Sequence, residues 1–289
     1  MVRPRFIHTM RRLAVSAGVV LAVLVPAGTA SAASVAQTSS YNRPTSTSGQ
    51  GLATLSTSTG STSIVYRGEF SIPLRLLFRG WQHIGDPGAG GYPGQPRNYV
   101  FDAYQGSASA TSKMFEVTTP SGQRYDFTHR LVSGEANNNS FAAVSPDGKW
   151  LVSGEWGTMN RLLVFPAPVL NPSFPASSAS ANLPLVGYIN LTSTVQNVQG
   201  CDFQSASVLL CSSDGTTKQI LQVNLQAPLG GTTDTASVVP LAYIPQKSSC
   251  TGTFEAEGID YYNSQVRVEI IPPSPCSTNT TVYVYKYSS

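Results

Sequence analysis

Carboxylates carry most of the chemistry this sequence could perform. Glu255, Glu257 and Asp260 crowd into the run Phe254–Asp260, while Asp102, Glu155, Asp214 and Glu269 each close a short apolar run. Grouped acids act as proton donors and acceptors, or as oxygen ligands for a hard cation such as calcium, which takes roughly six to eight oxygens. His83 stands close to Asp86, a pairing able to move a proton, so His83, Asp86 and Glu257 are the catalytic candidates. Each has a purely structural alternative: a hydrogen-bonded histidine, or a carboxylate capping backbone N–H groups between strands. Trp81, Tyr92, Tyr99, Tyr104 and Trp156 fall in or near loops, where exposed rings could stack on a sugar or a partner.

Other chemistries lack their residues. There is no G-x-S-x-G, no phosphate-binding glycine loop, no H-E-x-x-H and no C-x-x-C. After the first 32 residues only His83 and His129 remain, too few for zinc with these cysteines.

The elements that must position the acids read as strands. Runs such as Ile64–Tyr66, Tyr99–Phe101, Leu162–Phe165, Ile220–Val223, Val266–Ile270 and Val282–Tyr285 alternate with turn formers such as Pro146-Asp147-Gly148 and Ser213-Asp214-Gly215. No sustained helical period appears, so the pattern predicts an antiparallel all-β protein. A longer repeat underlies it. Segments starting near His83, Phe141, Gln199 and Glu257 align Gly85, Ala143, Gly200 and Gly258 at spacings of 58, 57 and 58 residues. Regular multi-strand units with a small residue on the first strand predict a small β-propeller, since the innermost strands crowd a common axis. Four blades are favoured and five are possible, with the run from Ile64 to Phe70 supplying an N-terminal strand that closes the ring.

The segment Ser140–Gly154, with Ser145-Pro146-Asp147-Gly148 at its centre, resembles a blade of the YVTN and TolB-like bacterial propellers. The run Glu257-Gly258-Ile259 is similar to the start of an inner strand in gluconolactonase-like and phytase-like propellers. That second resemblance implies a divalent metal at Glu257. The resemblance reaches Glu257 alone. Separately, in a propeller Asp102, Glu155, Asp214 and Glu269 at the ends of second strands could ring one channel mouth, with Glu155 and Asp102 as further metal candidates, and together these point to a calcium-dependent hydrolase or lactonase.

Arg3, Arg5, Arg11 and Arg12, the apolar run Leu13–Val25 and Ala30-Ser31-Ala32 form an export signal cut after Ala32, which predicts a secreted, extracellular protein. The run is too short to span a bilayer. The first 32 residues hold 4 of the 18 basic residues and no acid, leaving 14 bases against 15 acids, a net of −1. Nothing basic remains to attract nucleic acid. Residues 33–62 are rich in Ser and Thr and read as a flexible segment, with one propeller domain over 63–289. The four cysteines suit an oxidising compartment. Cys201 and Cys211 are centred on a turn at Ala206, and Cys250 and Cys276 on Asn263, so each pair straddles an inner hairpin. Two functions follow: an extracellular binding or scaffold protein for a small molecule, glycan or protein, or the calcium-dependent enzyme.

Overall fold

The computed structural model describes residues 33–289, and the expected export signal and its cut after Ala32 lie outside the described residues. Strands dominate. Strand β1 (Ser34–Pro44) is followed by a hairpin of β2 (Gly51–Ser56) and β3 (Thr62–Arg67). The next sheet contains β4 (Trp81–Ile84), β5 (Gly88–Gly90), β6 (Tyr99–Gly106), β7 (Ser112–Thr118) and β8 (Arg124–Arg130). Here β4 and β5 pair end to end with β6, forming one inner strand interrupted around Asp86. Two further sheets follow: β9 (Ala143–Val144), β10 (Trp150–Ser153), β11 (Thr158–Pro166) and β12 (Gly187–Gln196), then β13 (Val198–Ser205), β14 (Val208–Ser213), β15 (Gln219–Leu225) and β16 (Asp234–Tyr243). The last comprises β17 (Glu255–Tyr262), β18 (Gln265–Ile271) and β19 (Asn279–Ser288), with β1 paired outside β19.

The innermost strands close a ring. β2 lies against β5, β5 against β9, β9 against β13, β13 against β17, and β17 against β2. This cyclic order around one axis is a β-propeller. The chain also returns to itself at the rim, where β1 and β19 interlock its two ends. Parallel pairing of β12 with β16 joins the rims of two neighbouring sheets.

Two expectations are corrected. The segment 33–62, expected to be flexible and outside the propeller, is built into the sheets: it supplies β1 and β2. Its Ser and Thr side chains suit an outermost strand, where backbone pairing with β19 does the ordering and most side chains face solvent. The closing strand is therefore Ser34–Pro44, whereas Ile64–Arg67 lies in the hairpin. The Ser145–Gly148 motif forms the β9–β10 turn as expected. Asp147 accepts from Ser145 Oγ and the Lys149 N–H, and Gly148 takes the left-handed conformation at φ +68°.

Apolar clusters fill three of the spaces between sheets. Phe115, Phe127 and Phe165 centre one, Phe141, Ile189 and Phe203 the next, and Ile259, Tyr283 and Tyr285 the third. The hairpin is held differently, by polar contacts on both faces. Arg67 makes a two-pronged ion pair with Asp102 at 2.7 and 2.9 Å, while Asp260 accepts from Thr54 N–H at 2.9 Å and from Arg267 at 3.0 Å.

The cysteines pair as expected, Cys201 with Cys211 and Cys250 with Cys276. The first bridges directly opposed residues of β13 and β14. The second ties the approach to β17 to the turn after β18. Loop-closure entropy assigns each about 3 kcal/mol, rising with the length of chain enclosed. Replacing the 250–276 pair by alanines is thus expected to lower the urea midpoint more than opening the shorter loop without a bulky substitute.

Candidate functional site

At one end of the axis the starts of the inner strands surround an open cavity of about 500 Å³. Gln50 precedes β2, His83 lies in β4, Asn139 precedes β9, Gln199 lies in β13 and Glu257 in β17. Residues from the far ends of second strands complete the wall: Gln105 after Tyr104, Trp156 in the β10–β11 turn, and Asp214 after β14.

A local rule places three of these side chains. Gln50, Gln199 and Glu257 are each followed by glycine, and Gly51, Gly200 and Gly258 abut the carboxylate of Asp86. A Cβ on any of the three would fall 2.1 Å from an Asp86 oxygen. Asp86 is wholly buried and accepts the N–H groups of Leu52 at 3.0 Å and Ile259 at 3.1 Å. It closes the axis below the cavity. Burial pushes its carboxyl well above the ordinary range, and the nearby Asp202 and Asp260 add to this against the two N–H groups. The small-residue alignment thus holds at Gly200 and Gly258. In the first two units that level belongs to Asp86 and Phe141, which pair in parallel, so Gly85 and Ala143 are displaced from it.

Glu257 is buried in the cavity wall. Burial raises its carboxyl well above the usual range, and Glu255 and Asp214 raise it further against a partial offset from Lys218. Asp214 is held by Lys218 Nζ at 2.7 Å and by the Ala256 N–H at 2.8 Å. Desolvation by surrounding protein atoms lowers the pKa of His83 against a partial offset from Glu69, which favours the neutral imidazole. Trp156 is 52% exposed, and its backbone is clamped by the Asn138 amide through bonds of 2.8 and 3.1 Å. The Asn139 amide reaches Met114 O and Ser153 Oγ.

The expected ring of acids is only partly assembled. Asp214 reaches the mouth, where Glu255 and Glu257 join it. Asp102 is spent on Arg67. Glu155 is buried against Lys113 Nζ at 2.8 Å and the Ala136 N–H. Glu269 is buried on β18, and neither of its oxygens has a well-formed hydrogen bond. The metal set Glu257, Glu155 and Asp102 is therefore not brought together, because ion pairs between sheets claim two of its members. Among the described residues no three His, Cys, Asp or Glu side chains are arranged to hold a metal ion. Capping of backbone N–H groups falls to Asp86, Asp202, Asp214 and Asp260. Trp81 and Tyr104 are buried beneath residues 72–76, and Tyr92 packs edge-on against Tyr99. Within the expected long loop Gly85–Arg97, Gly88–Gly90 forms inner strand β5; only the part after it is a loop, at the other end of the axis, where Arg97 bonds Asp202 and Tyr261 O.

Sequence reasoning passed over Gln50, Gln105, Asn139 and Gln199. The signal available for three of them was the repeated Gln-Gly step at 50–51, 105–106 and 199–200.

No protein-family model matches the chain, and no curated protein matches it. Solved structures do. The β-propeller domain of Myceliophteria thermophila Cps50 (Swd1) aligns at 8% identity and TM-score 0.34, over 79% of this chain, which spans 61% of that one. Arabinanase Arb43A of Bacillus subtilis aligns at 13% identity and TM-score 0.42, over 87% of this chain and 92% of that one. A complex of KlAtg21 with the coiled coil of AgAtg16 aligns at 13% identity and TM-score 0.31, over 66% of this chain and 54% of the other. At these identities and TM-scores the likeness says nothing of function.

Proposed function

We propose that this chain is a secreted five-bladed β-propeller, with the hairpin as a reduced blade, that binds a glycan in the cavity at the axis. The carrying observation is the gathering of Gln50, Gln105 and Gln199 in one cavity wall beside the exposed Trp156, whose backbone is clamped by Asn138. An amide both donates and accepts, which suits a sugar hydroxyl, and an indole face suits the C–H face of a pyranose or furanose ring. A floor fixed by Asp86 gives a polar cup, and preorganisation of that kind lowers the cost of binding.

Titration of the protein with neutral oligosaccharides of xylose, arabinose, glucose and galactose, followed by Trp fluorescence and calorimetry, tests this. One series is expected to bind, and Trp156→Ala is expected to weaken it at least about tenfold, the loss of one stacking contact. Absence of binding across all series, with the variant indistinguishable from the parent, defeats the proposal.

One observation favours an enzymatic variant. Burial raises the Glu257 carboxyl well above the usual range, which favours its protonated form, while Asp214 beside it is paired with Lys218. A proton donor next to a fixed carboxylate is the arrangement used for glycoside hydrolysis. Release of reducing ends that is lost in Glu257→Gln while binding persists would select this reading over simple binding.

A further inference from the structure

The sheet edges in the described residues are guarded, with one exception. β12 and β16 pair with each other. β8 is covered by the 180–183 segment, whose Ser180 and Leu183 N–H groups bond Asp126 O and Thr128 O. β1 carries a bulge between Gln37 and Ser39 and ends in Pro44. β3 has none of these devices: its register is unbroken from Thr62 to Arg67, it contains no Pro or Lys, and it pairs only with β2. The bond from Thr57 N–H to Ser61 O fixes the phase of the ladder. Thr62, Ile64 and Tyr66 therefore direct their backbone groups away from β2. Among the described residues the bond on that side comes from the Arg67 guanidinium to Tyr66 O.

The chain that leaves β3 is apolar. In residues 68–80 Ile72 and Leu76 turn inward against Trp81, Ile84, Tyr104 and Met114. Phe70, Leu74 and Phe78, four residues apart, turn outward and are 81%, 69% and 88% exposed. Such a ridge marks an interaction surface. On the other side of the hairpin, Tyr66 meets Tyr41 and Arg43 of the last sheet.

Geometry selects the occupant. The flanking sheets run two strands farther out than the hairpin. At a strand spacing of about 4.8 Å the β3 edge is recessed by about 10 Å. A second folded copy, its own β3 equally recessed, cannot reach it, whereas an extended chain can. We propose that the hairpin is an unfinished sheet that accepts an extended segment of another polypeptide, which pairs with β3 and lays alternate apolar side chains on Phe70, Leu74 and Phe78. Strand addition of this kind draws affinity from main-chain bonds and selectivity from alternate side chains.

The probe is a synthetic peptide of about eight residues alternating valine and threonine, long enough to match a typical strand. Hydrogen exchange is read on the full protein with and without it. The Ile64 and Tyr66 amides are expected to exchange roughly tenfold more slowly with peptide. A peptide N-methylated on its pairing edge is expected to give no slowing. Ile64→Pro removes only an outward N–H, a position an edge strand tolerates, so the fold should persist by melting while peptide protection is lost. Phe78→Asp, on the exposed ridge, should weaken binding without lowering the melting midpoint. The idea fails if millimolar peptide leaves both amides unprotected, or if N-methylated and parent peptides bind alike. It also fails if Phe70 and Phe78 attach the protein to phosphatidylcholine vesicles while peptide has no effect.

Discussion

Gly200→Ala is expected to destabilise the protein by about 3 kcal/mol, the upper end for overpacking a tight site. The added Cβ would lie 2.1 Å from Asp86 Oδ2, 2.7 Å from its Cγ and 2.9 Å from Ile259 N. Asp86 cannot swing aside, because the Leu52 and Ile259 N–H groups pin its two oxygens from neighbouring strands. Asp86→Ala alone is also costly, since orphaning two buried donors costs about 1–3 kcal/mol each. The decisive measurement is the double variant in a urea-unfolding cycle. With the carboxylate gone, the new methyl group has room, so the combined cost should fall short of the sum by at least about 1 kcal/mol. Strict additivity would mean that Asp86 is not the wall Gly200 meets, and the account of a carboxylate plugging the axis would fall.

Glu269→Gln should stabilise the protein at neutral pH, by about 1–3 kcal/mol, and do nothing at about pH 4. Glu269 is fully buried without a well-formed hydrogen bond. Burial raises its carboxyl well above the usual range, Asp86 and Glu257 raise it further, and Arg43 and the Gly51 N–H only partly offset them. Asp86 and Glu257 are shifted the same way. For a carboxyl whose folded-state pKa is raised, the folded protein binds more protons than the unfolded chain between the two pKa values. Its contribution is complete below the unfolded pKa and drains away as pH rises through the folded one. The melting midpoint of the parent should therefore fall from mildly acidic to mildly alkaline buffer, and Glu269→Gln should flatten that slope. Glu135 works oppositely: although burial alone would raise its carboxyl, His129 and Lys113 hold it low, so its contribution is lost as pH drops through that depressed value. A midpoint that climbs steadily with pH, in parent and variant alike, would contradict this assignment.

How much of this could be read in the residues follows from where each signal resides. The inner and middle strands announce themselves because one or both faces are buried, as in Leu162–Phe165 and Ile220–Val223. The half-turn geometry of Ser145–Gly148 is local, and so is the symmetry that pairs Cys201 with Cys211. β1 escaped because an outermost strand satisfies its backbone without burying much side chain, and its Ser and Thr content then imitates a mobile tail. The hairpin escaped for a related reason: its contacts are ion pairs with partners far away in sequence, such as Arg67 with Asp102. The site shows the same division. Glu257 and Asp214 stand out as charges at strand ends, whereas Glu155 and Asp102 look identical to them until their buried cations, Lys113 and Arg67, are located. The amides of Gln50 and Gln199 carry no charge, the Gln-Gly step that marks them is short, and only the convergence of strands gives them a role.

The parallel ladder between β12 and β16 has a mechanical consequence. It rivets two adjacent sheets along their outer margin while an apolar layer cements them along their faces, so this half of the ring behaves as one slab. Any breathing of the ring must then concentrate at the two polar seams flanking the hairpin, opposite the slab. Those seams are the compliant sector through which the axis can widen without the rest of the circle letting go.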